Sequence, residues 1–205
     1  MAQGSLEDLI LAAKNGQLIS FPTDTVPAMA TQPQHSGLIF QAKQRSETKP
    51  LILMGADVAD LWEYVSGTAA ERQIWEETAA KHLPGALTMV LPASDRLPKE
   101  MNPTDPTTIG IRVPNSAIAR HILAQTGPLA TTSVNRSGEP PLEAIAAINE
   151  SFPEILTLSL EALQALEQEL LPASQPEQRS GQPSTVAKWT GTGWTILRQG
   201  GVLLS

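Results

Sequence analysis

Apolar residues recur at helical spacing near the start of the chain. The series consists of Leu6, Leu9, Ile10 and Ala13. Residues three or four positions apart lie on one side of an α-helix, so the spacing predicts an amphipathic helix. Ser5 with Asp8 three residues later resembles a capping box, and Asn15-Gly16 is a typical helix stop. We therefore expect the first helix to end at this stop.

Beyond this helix, short apolar runs alternate with helical stretches and polar loops. Strands are predicted within residues 17–21, 50–54, 83–92, 107–114 and 128–134, and on both sides of a turn at 191–193. Helices are predicted within 35–45, within 57–82 as two segments broken near Ser66-Gly67, and within 115–127, 141–150 and 159–170. This order of elements is typical of α/β proteins.

Two proline-rich stretches interrupt the pattern. Residues 95–107 predict a surface loop, and residues 172–183 predict a flexible connector. Trp62, Tyr64 and Trp75 are expected to anchor the packing of the helical segments between the second and third strands. We expect one α/β domain over residues 1–205, in which helices flank a twisted mixed sheet and loops converge on a concave cleft.

Composition narrows the function classes. The 205 residues include no cysteine, which excludes disulfides and thiolate zinc sites. The formal net charge of −7 argues against coating of nucleic acid through general charge. His35, His82 and His121 show no ligand spacing, so no metal site is expected. The start of the chain does not read as a signal peptide and no apolar run could span a membrane, so we expect a cytoplasmic location.

Four polar loops stand beside the predicted strands, at positions where α/β folds build binding sites. They are "PTDT", "KQRSETK", "TTSVNRSG" and "PSTV". The second gathers Lys43, Arg45 and Lys49 in an otherwise acidic chain. Such a cluster is a solvated helix end stabilised by the helix dipole, or a site for an anionic ligand. The residues alone leave both interpretations open.

The order of seven segments resembles that of the YrdC family of threonylcarbamoyl-adenylate synthases. The segments are "FPTDTVPAMA", "KQRSETKPLILM", "LPGALTMVLPA", "IGIRVP", "TTSVNRSGEPP", "PSTV" and "ILRQGG". They are similar to the family's Pro-Thr-Glu/Asp-Thr loop, Lys-x-Arg segment, Pro-Gly-x-x-Thr strand, Arg-x-Pro strand end, Ser-x-Asn-x-Ser-Gly loop, Ser-Thr-Val strand and Arg-x-Gly terminus. The resemblance implies the YrdC/RibB-like fold, in the form without the C-terminal domain of larger members.

The resemblance also implies an activity: threonine and bicarbonate form a carbamate that attacks the α-phosphorus of ATP and expels pyrophosphate. The product serves the threonylcarbamoyl modification of tRNA. Mg²⁺ is expected to arrive on the nucleotide, and no dedicated protein metal site is expected. Phosphoryl transfer depends mainly on positioning and charge stabilisation, so cations at the phosphates suit this chemistry.

The resemblance assigns residues to each substrate. For ATP and its phosphates they are Lys43, Arg45, Lys49, Arg112, Ser133, Asn135 and Arg198. Thr25 and Ser184 are assigned to threonine, because hydroxyls can hydrogen-bond a zwitterion without adding charge. Whether the Asn135 amide meets phosphate or adenine stays open. Asp24 is a weaker candidate, since an Asx turn within its loop explains it equally well.

The family pattern is broken at the amino-acid side. The loop usually continues Thr-Val-Tyr-Gly-Leu, whereas this chain has Pro27, Ala28 and Met29 after Val26. Ser46 stands where a proline often follows Lys-x-Arg, and Met54 is near the place of a threonine-binding histidine. These changes leave an alternative: a divergent paralogue that binds nucleotide, double-stranded RNA or the ribosome with little or no synthase activity.

Overall fold

A computed structural model describes residues 3–44, 49–171 and 179–204 of the chain. Its helices are α1 Leu6–Lys14, α2 Gly37–Lys43, α3 Ala69–His82, α4 Ala117–Thr126, α5 Ile145–Ser151 and α6 Leu160–Leu170. Its strands are β1 Gln3–Gly4, β2 Ile19–Phe21, β3 Ala28–Thr31, β4 Ile52–Met54, β5 Leu87–Pro92, β6 Thr108–Arg112, β7 Leu129–Ser133, β8 Leu156–Leu158, β9 Thr185–Trp189 and β10 Trp194–Arg198. Short 3₁₀ turns lie at Pro33–His35, Val58–Asp60, Trp62–Tyr64 and Lys99–Met101.

The first helix begins as its sequence predicts. The Ser5 hydroxyl accepts a hydrogen bond from the backbone N–H of Asp8, and the Asp8 carboxylate accepts one from the backbone N–H of Ser5. This reciprocal pair satisfies two N–H groups that a helix start leaves unpaired. The hydrogen bond from the Ser5 backbone lowers the pKa of Asp8, because it stabilises the ionised carboxylate.

The strands join in one mixed sheet. Within the described residues its order is β1-β8-β2-β3-β7-β4-β6-β5-β9-β10. The pairs β1/β8, β8/β2, β4/β6 and β5/β9 are parallel, and the other neighbours are antiparallel. The predicted mixed α/β sheet flanked by helices is confirmed.

Two hydrophobic cores lie on opposite faces of the sheet. On the first face α2, α3 and α5 pack through Ile39, Trp75 and Ile148 against the strands. On the second face α1, α4 and α6 form a layer with the strands around β2 and β3, where Phe21 is 1 % exposed. Because strand side chains alternate between faces, residues 52, 88, 90, 108, 110 and 112 share this second face. They lie beyond the helical layer.

Three expectations need correction. Strands β1, β3 and β8 were not predicted; each is two to four residues long and is defined by its pairing partners. The predicted surface loop at 95–107 is partly internal, because Met101 is fully buried in the first core. The first helical segment of 57–82 consists of two 3₁₀ turns, while α3 begins at a capping box between Thr68 and Glu71.

The expected flexible connector at 172–183 divides into two parts. Residues 172–178 lie outside the described part of the chain. In the remainder, Ser180 N–H donates to Asp24 O at 2.9 Å and Gly181 N–H donates to Thr25 O at 3.1 Å. This short segment is therefore tied to the loop after β2. Among the described helices, none is long and apolar enough to cross a membrane.

Candidate active site

A cleft opens on the second sheet face, where the helical layer stops. Its volume is about 220 Å³. It is lined by Thr25, Val26, Pro27, Ala28, Pro50, Leu51, Ile52, Met54, Thr88, Val90, Asn102, Thr108, Gly110, Arg112, Thr131, Thr132, Ser133, Pro183, Ser184, Val186 and Arg198. Strands β4, β6, β5 and β9 supply its floor, and the loop before β3 supplies one wall. Three of the four predicted loops thus reach one cavity.

The Thr23–Pro27 loop is held by its own hydroxyl groups. Thr23 Oγ1 donates to Val26 O at 2.7 Å and lies 3.1 Å from Thr25 Oγ1. It also accepts a hydrogen bond from the Thr25 backbone N–H at 3.2 Å. The hydrogen bonds of an Asx-type turn, expected from Asp24, are therefore made by Thr23 instead. The result fixes the Thr25 hydroxyl at the cleft wall.

Arg112, at the end of β6, lies beneath this loop in a buried ion pair. Its Nη2 donates to Asp24 Oδ1 at 2.6 Å, its Nη1 to Thr25 Oγ1 at 2.9 Å and its Nε to Gly85 O at 3.1 Å. Burial lowers the pKa of Arg112, and the Asp24 carboxylate opposes this effect. The Asp24 carboxylate thus balances the buried charge of Arg112, and the Arg112 guanidinium also holds the Thr25 hydroxyl. Phosphate binding by Arg112 stays a prediction.

A second polar group spans β5, β9 and β10. The Ser184 hydroxyl lies 2.9 Å from Thr88 Oγ1, and both residues are buried. Arg198 donates from Nη2 to Ser184 O at 2.8 Å and to Ser184 Oγ at 3.3 Å. Partial burial lowers the pKa of Arg198. Its guanidinium remains partly exposed in the cleft, so it can meet an anionic ligand there.

The loop after β7 is braced from behind by Lys43. The side chain of Lys43 is 1 % exposed, and its ammonium donates to Ser133 O and, at 2.8 Å, to Asn135 Oδ1. Ser133 Oγ donates to the same Asn135 oxygen at 2.7 Å. The Asn135 amide donates in turn to Glu139 O at 2.6 Å. Ser133 lines the cleft, whereas Lys43 and Asn135 support it.

The predicted site residues therefore occupy three positions. Thr25, Arg112, Ser133, Ser184 and Arg198 line the cleft. Lys43 and Asn135 lie directly behind Ser133. Lys49 is exposed and precedes Pro50 at the cleft, while Arg45 and Ser46 lie outside the described residues. Direct phosphate contact by Lys43, Arg45 and Lys49 stays a prediction.

Sequence reasoning overlooked several residues of the cleft. Thr88, Gly110 and Thr131 lie within segments that resemble the family, but no role was assigned to them, and in the structure all three belong to strands that line the cleft. Their signal is a small or hydroxylic residue at a position whose neighbours in the strand are apolar. Met54, near the place where the resemblance puts a threonine-binding histidine, also lines the cleft. Over the residues described, no group of three His, Cys, Asp or Glu side chains is arranged to hold a metal ion.

Known proteins share both the sequence pattern and the fold. The sequence model of the Sua5/YciO/YrdC family, described as "Telomere recombination", matches residues 12–200. A threonylcarbamoyl-AMP synthase of Bos taurus is 32% identical over 156 residues, covering 74% of this chain and 54% of the relative. The synthase of Chromohalobacter salexigens is 29% identical over 157 residues, covering 75% of this chain and 83% of the relative.

Solved structures of related proteins have a similar fold. The structure of P. abyssi Sua5 complexed with L-threonine superposes with a TM-score of 0.76 at 27% identity, covering 96% of this chain and 56% of that one. E. coli YciO, at 18% identity and a TM-score of 0.73, shares the fold. The chain spans about half the length of the bovine and P. abyssi proteins. On the extent of the sequence match, the chain belongs to the Sua5/YciO/YrdC family.

Proposed function

We propose that this protein synthesises threonylcarbamoyl-AMP from L-threonine, bicarbonate and ATP. The observation that carries the proposal is the convergence of Thr25, Arg112, Ser133, Ser184 and Arg198 on one cleft. These residues come from segments far apart in the sequence, and each belongs to a motif of the family pattern. The relatives in Bos taurus and Chromohalobacter salexigens carry the name of this activity, and the P. abyssi structure contains L-threonine.

The amino-acid half of the site consists of neutral hydroxyls. Thr25 is held by Arg112 at 2.9 Å, and Ser184 is held by Thr88 at 2.9 Å. We assign both to the substrate threonine, whose ammonium, carboxylate and hydroxyl need donors and acceptors more than net charge. Pro27 and Ala28 form part of the same wall, where the family usually has tyrosine and glycine. Pro27 and Ala28 therefore still line the cleft, although they differ from the family pattern.

We assign the nucleotide to the part of the cleft around Arg198 and Ser133, with Lys43 behind Ser133 and Lys49 next to Pro50. In the proposed reaction a carbamate oxygen forms a bond to the α-phosphorus while the bond to pyrophosphate breaks. Arg198 and the predicted cations would stabilise the charge that accumulates on the phosphate oxygens. Lys43 would act by fixing Ser133 and Asn135. Mg²⁺ is part of this proposal as a component of the nucleotide substrate.

The partners follow from the product. A mixed carbamic–phosphoric anhydride is labile, so we propose that it passes to a protein that modifies tRNA. We also propose a cytoplasmic location, because ATP, threonine and tRNA are available there. The alternative function, binding of nucleotide or double-stranded RNA without turnover, would use the same cleft and therefore requires a direct test.

The test is pyrophosphate release by the full chain with ATP, Mg²⁺, threonine and bicarbonate. We expect release that stops when threonine or bicarbonate is omitted, together with formation of threonylcarbamoyl-AMP detected by mass spectrometry. Ser184→Ala should raise the KM for threonine, whereas Ser94→Ala, at a half-buried loop hydroxyl outside the cleft, should not. Binding of ATP or duplex RNA with no threonine-dependent release would reject the synthase and favour the alternative.

A further inference from the structure

Arg136 is a half-buried residue of the loop after β7, three positions beyond Ser133. Its Nη1 donates to Ala42 O at 2.8 Å, and its Nη2 donates to Ser151 O at 3.0 Å. Its guanidinium carbon lies 4.7 Å from the centroid of the Phe152 ring. The two carbonyls belong to the last turns of α2 and α5, where a helix has no donors of its own for them. One guanidinium therefore fastens the loop to two helix ends.

The end of α2 and the loop after β7 hold each other from both sides. Arg136 reaches back to Ala42 O, and the ammonium of the next residue, Lys43, reaches forward to Asn135 Oδ1 at 2.8 Å. Gln44 follows with a φ of 48°, and among the described residues it is the only one other than glycine at positive φ. A left-handed backbone is unfavourable for a residue with a side chain, so it persists where surrounding contacts fix it. The two crossed cations supply such contacts.

A chain of hydrogen bonds leads from Arg136 to the cleft. The Arg136 carbonyl accepts hydrogen bonds from the Asn135 amide at 2.9 Å and from the Glu139 N–H at 3.1 Å. The Oδ1 atom of Asn135 accepts in turn from Ser133 Oγ at 2.7 Å and from Lys43. Ser133 lines the cleft, whereas Arg136 does not. The place of the Arg136 backbone thus determines the direction of the Ser133 hydroxyl.

We propose that Arg136 is a positioning residue for the nucleotide: it anchors the loop after β7 and, through Asn135, orients the Ser133 hydroxyl for ATP. The inference rests on the proposed function, from which it takes only the assignment of Ser133 to the nucleotide. The geometry calls for arginine, because a guanidinium donates to two carbonyls in fixed directions while it stacks on a ring. A lysine ammonium is a point donor without this fork.

The test compares two substitutions of Arg136 in the full chain. Arg136→Met keeps a long side chain over Phe152 and removes every donor, whereas Arg136→Lys keeps the charge and a single ammonium. We expect the dissociation constant for ATP with Mg²⁺ to rise about tenfold in Arg136→Met, the loss expected when one hydrogen bond to a charged phosphate is misplaced. Arg136→Lys should lie between this variant and the wild type. Isothermal titration measures both values.

A second arginine with the same kinds of contact provides the control. Arg72 is also half-buried, with its guanidinium carbon 4.7 Å from the Trp62 ring centroid and its Nη2 donating to Trp62 O at 3.2 Å. It does not line the cleft. Arg72→Met should therefore cost stability in a similar way but leave the dissociation constant for ATP unchanged.

The KM for threonine distinguishes positioning from general damage to the cleft. Thr25 is held by Arg112 and Ser184 by Thr88, and neither contact involves the loop after β7. We therefore expect the KM for threonine to stay unchanged in Arg136→Met. A purely structural role would reduce the folded fraction and the apparent kcat, while the folded protein would keep its affinity for ATP.

The outcomes separate this inference from the proposed function. ATP binding without threonine-dependent turnover would reject the synthase, and a weaker ATP affinity in Arg136→Met would then still support the inference. An unchanged ATP affinity in folded Arg136→Met would overturn the inference alone, as would an equal loss in Arg72→Met or a KM for threonine raised by the same factor. If Arg136→Met does not fold, an unchanged ATP affinity in Arg136→Lys overturns it. A wild type that does not bind ATP overturns both.

Discussion

The two halves of the second sheet face show how one sheet serves both packing and chemistry. In the half around β2 and β3, the residues Ile19, Phe21 and Ala30 are buried beneath α1, α4 and α6. In the half around β6 and β5, the equivalent positions include Thr88 and Gly110, and they line a cleft. Both halves follow the same alternation of side chains. They differ in whether a helical layer covers them.

Polar side chains are tolerated in the half that the helices leave uncovered. Beneath the helices a hydroxyl without a partner would cost free energy, so the side chains are apolar. In the cleft, hydroxyls satisfy one another, as the Thr88–Ser184 contact does at 2.9 Å. Arg112 is likewise satisfied by Asp24 before any substrate enters. The open half is therefore a set of polar groups that are already paired and oriented.

The largest expected effect comes from a core substitution in the covered half. Phe21→Ala removes a side chain that is 1 % exposed in the second core. We expect the free energy of unfolding to fall by about 3–5 kcal/mol, because the ring's contacts are lost and a cavity remains. Urea denaturation followed by tryptophan fluorescence measures this change.

The matched change in the open half is Val90→Ala. Val90 is partly exposed at the cleft, so we expect a loss of only about 1 kcal/mol. Equal losses in the two variants would show that the cleft half is packed like the covered half, and the comparison would be wrong.

The next effect concerns the buried charges at the border of the cleft. Asp24→Ala leaves the Arg112 guanidinium, whose side chain is 5% exposed, without its carboxylate partner. We expect a loss of about 3 kcal/mol in stability, since an uncompensated buried charge is costly. The control is Lys188→Gln, which breaks the exposed 3.9 Å pair with Asp105 and should cost less than about 1 kcal/mol. Similar losses in both variants would contradict the charge balance described for Arg112.

Much of the fold followed from local sequence signals. The helix after Ser5, α4 and the hairpin of β9 and β10 have strong periodicity and clear stops, and the structure contains them. β3 was not predicted because Ala28–Thr31 is short and rich in alanine. It is a strand because it pairs with β2 and β7. Partners distant in sequence decide such strands, so a local pattern cannot reveal them.

The candidate site was predictable as a set of motifs but not as a charge distribution. The order of the motifs led to Thr25, Ser133 and Ser184, which the structure brings to one cleft. No local pattern in the sequence indicated that Asp24 pairs with Arg112, 88 positions away. Nor did it show that Lys43, in a cationic segment, is buried against Asn135. Hydrogen bonds across the fold, rather than neighbours in sequence, set the environment of each charge.

A smaller expected effect concerns ATP binding in the open half of the sheet face. Arg198→Ala removes a partly exposed guanidinium from the cleft, and we expect ATP to bind more weakly by about 1.5–3 kcal/mol, the range for hydrogen bonds to charged groups. Isothermal titration of ATP measures the change. Arg179→Ala is the control, because Arg179 lies in an exposed pair with Glu167 at 3.4 Å. Unchanged ATP affinity in Arg198→Ala, with a normal unfolding transition, would remove Arg198 from the phosphate site.

The smallest expected effect concerns the start of α1, one of the helices over the covered half. Ser5→Ala removes the hydroxyl that caps α1, and we expect the free energy of unfolding to fall by about 1 kcal/mol near neutral pH. The Ser5 backbone and hydroxyl both lower the pKa of Asp8, whose ordinary value is 3.8. Their contribution is present above that value and is lost as the pH falls through the lower pKa of the folded state.

The difference between wild type and Ser5→Ala should therefore shrink as the pH is lowered from neutral through 3.8, the ordinary pKa of Asp8, and below it, as the carboxylate becomes protonated. Urea denaturation at each pH measures it, with Ser94→Ala as a control that leaves the helix cap intact. A difference that grows in acid would mean that the Ser5 hydroxyl raises the pKa of Asp8, contrary to its hydrogen bond. The proposed synthase activity should survive the change, because α1 stabilises the covered half and has no residue in the cleft.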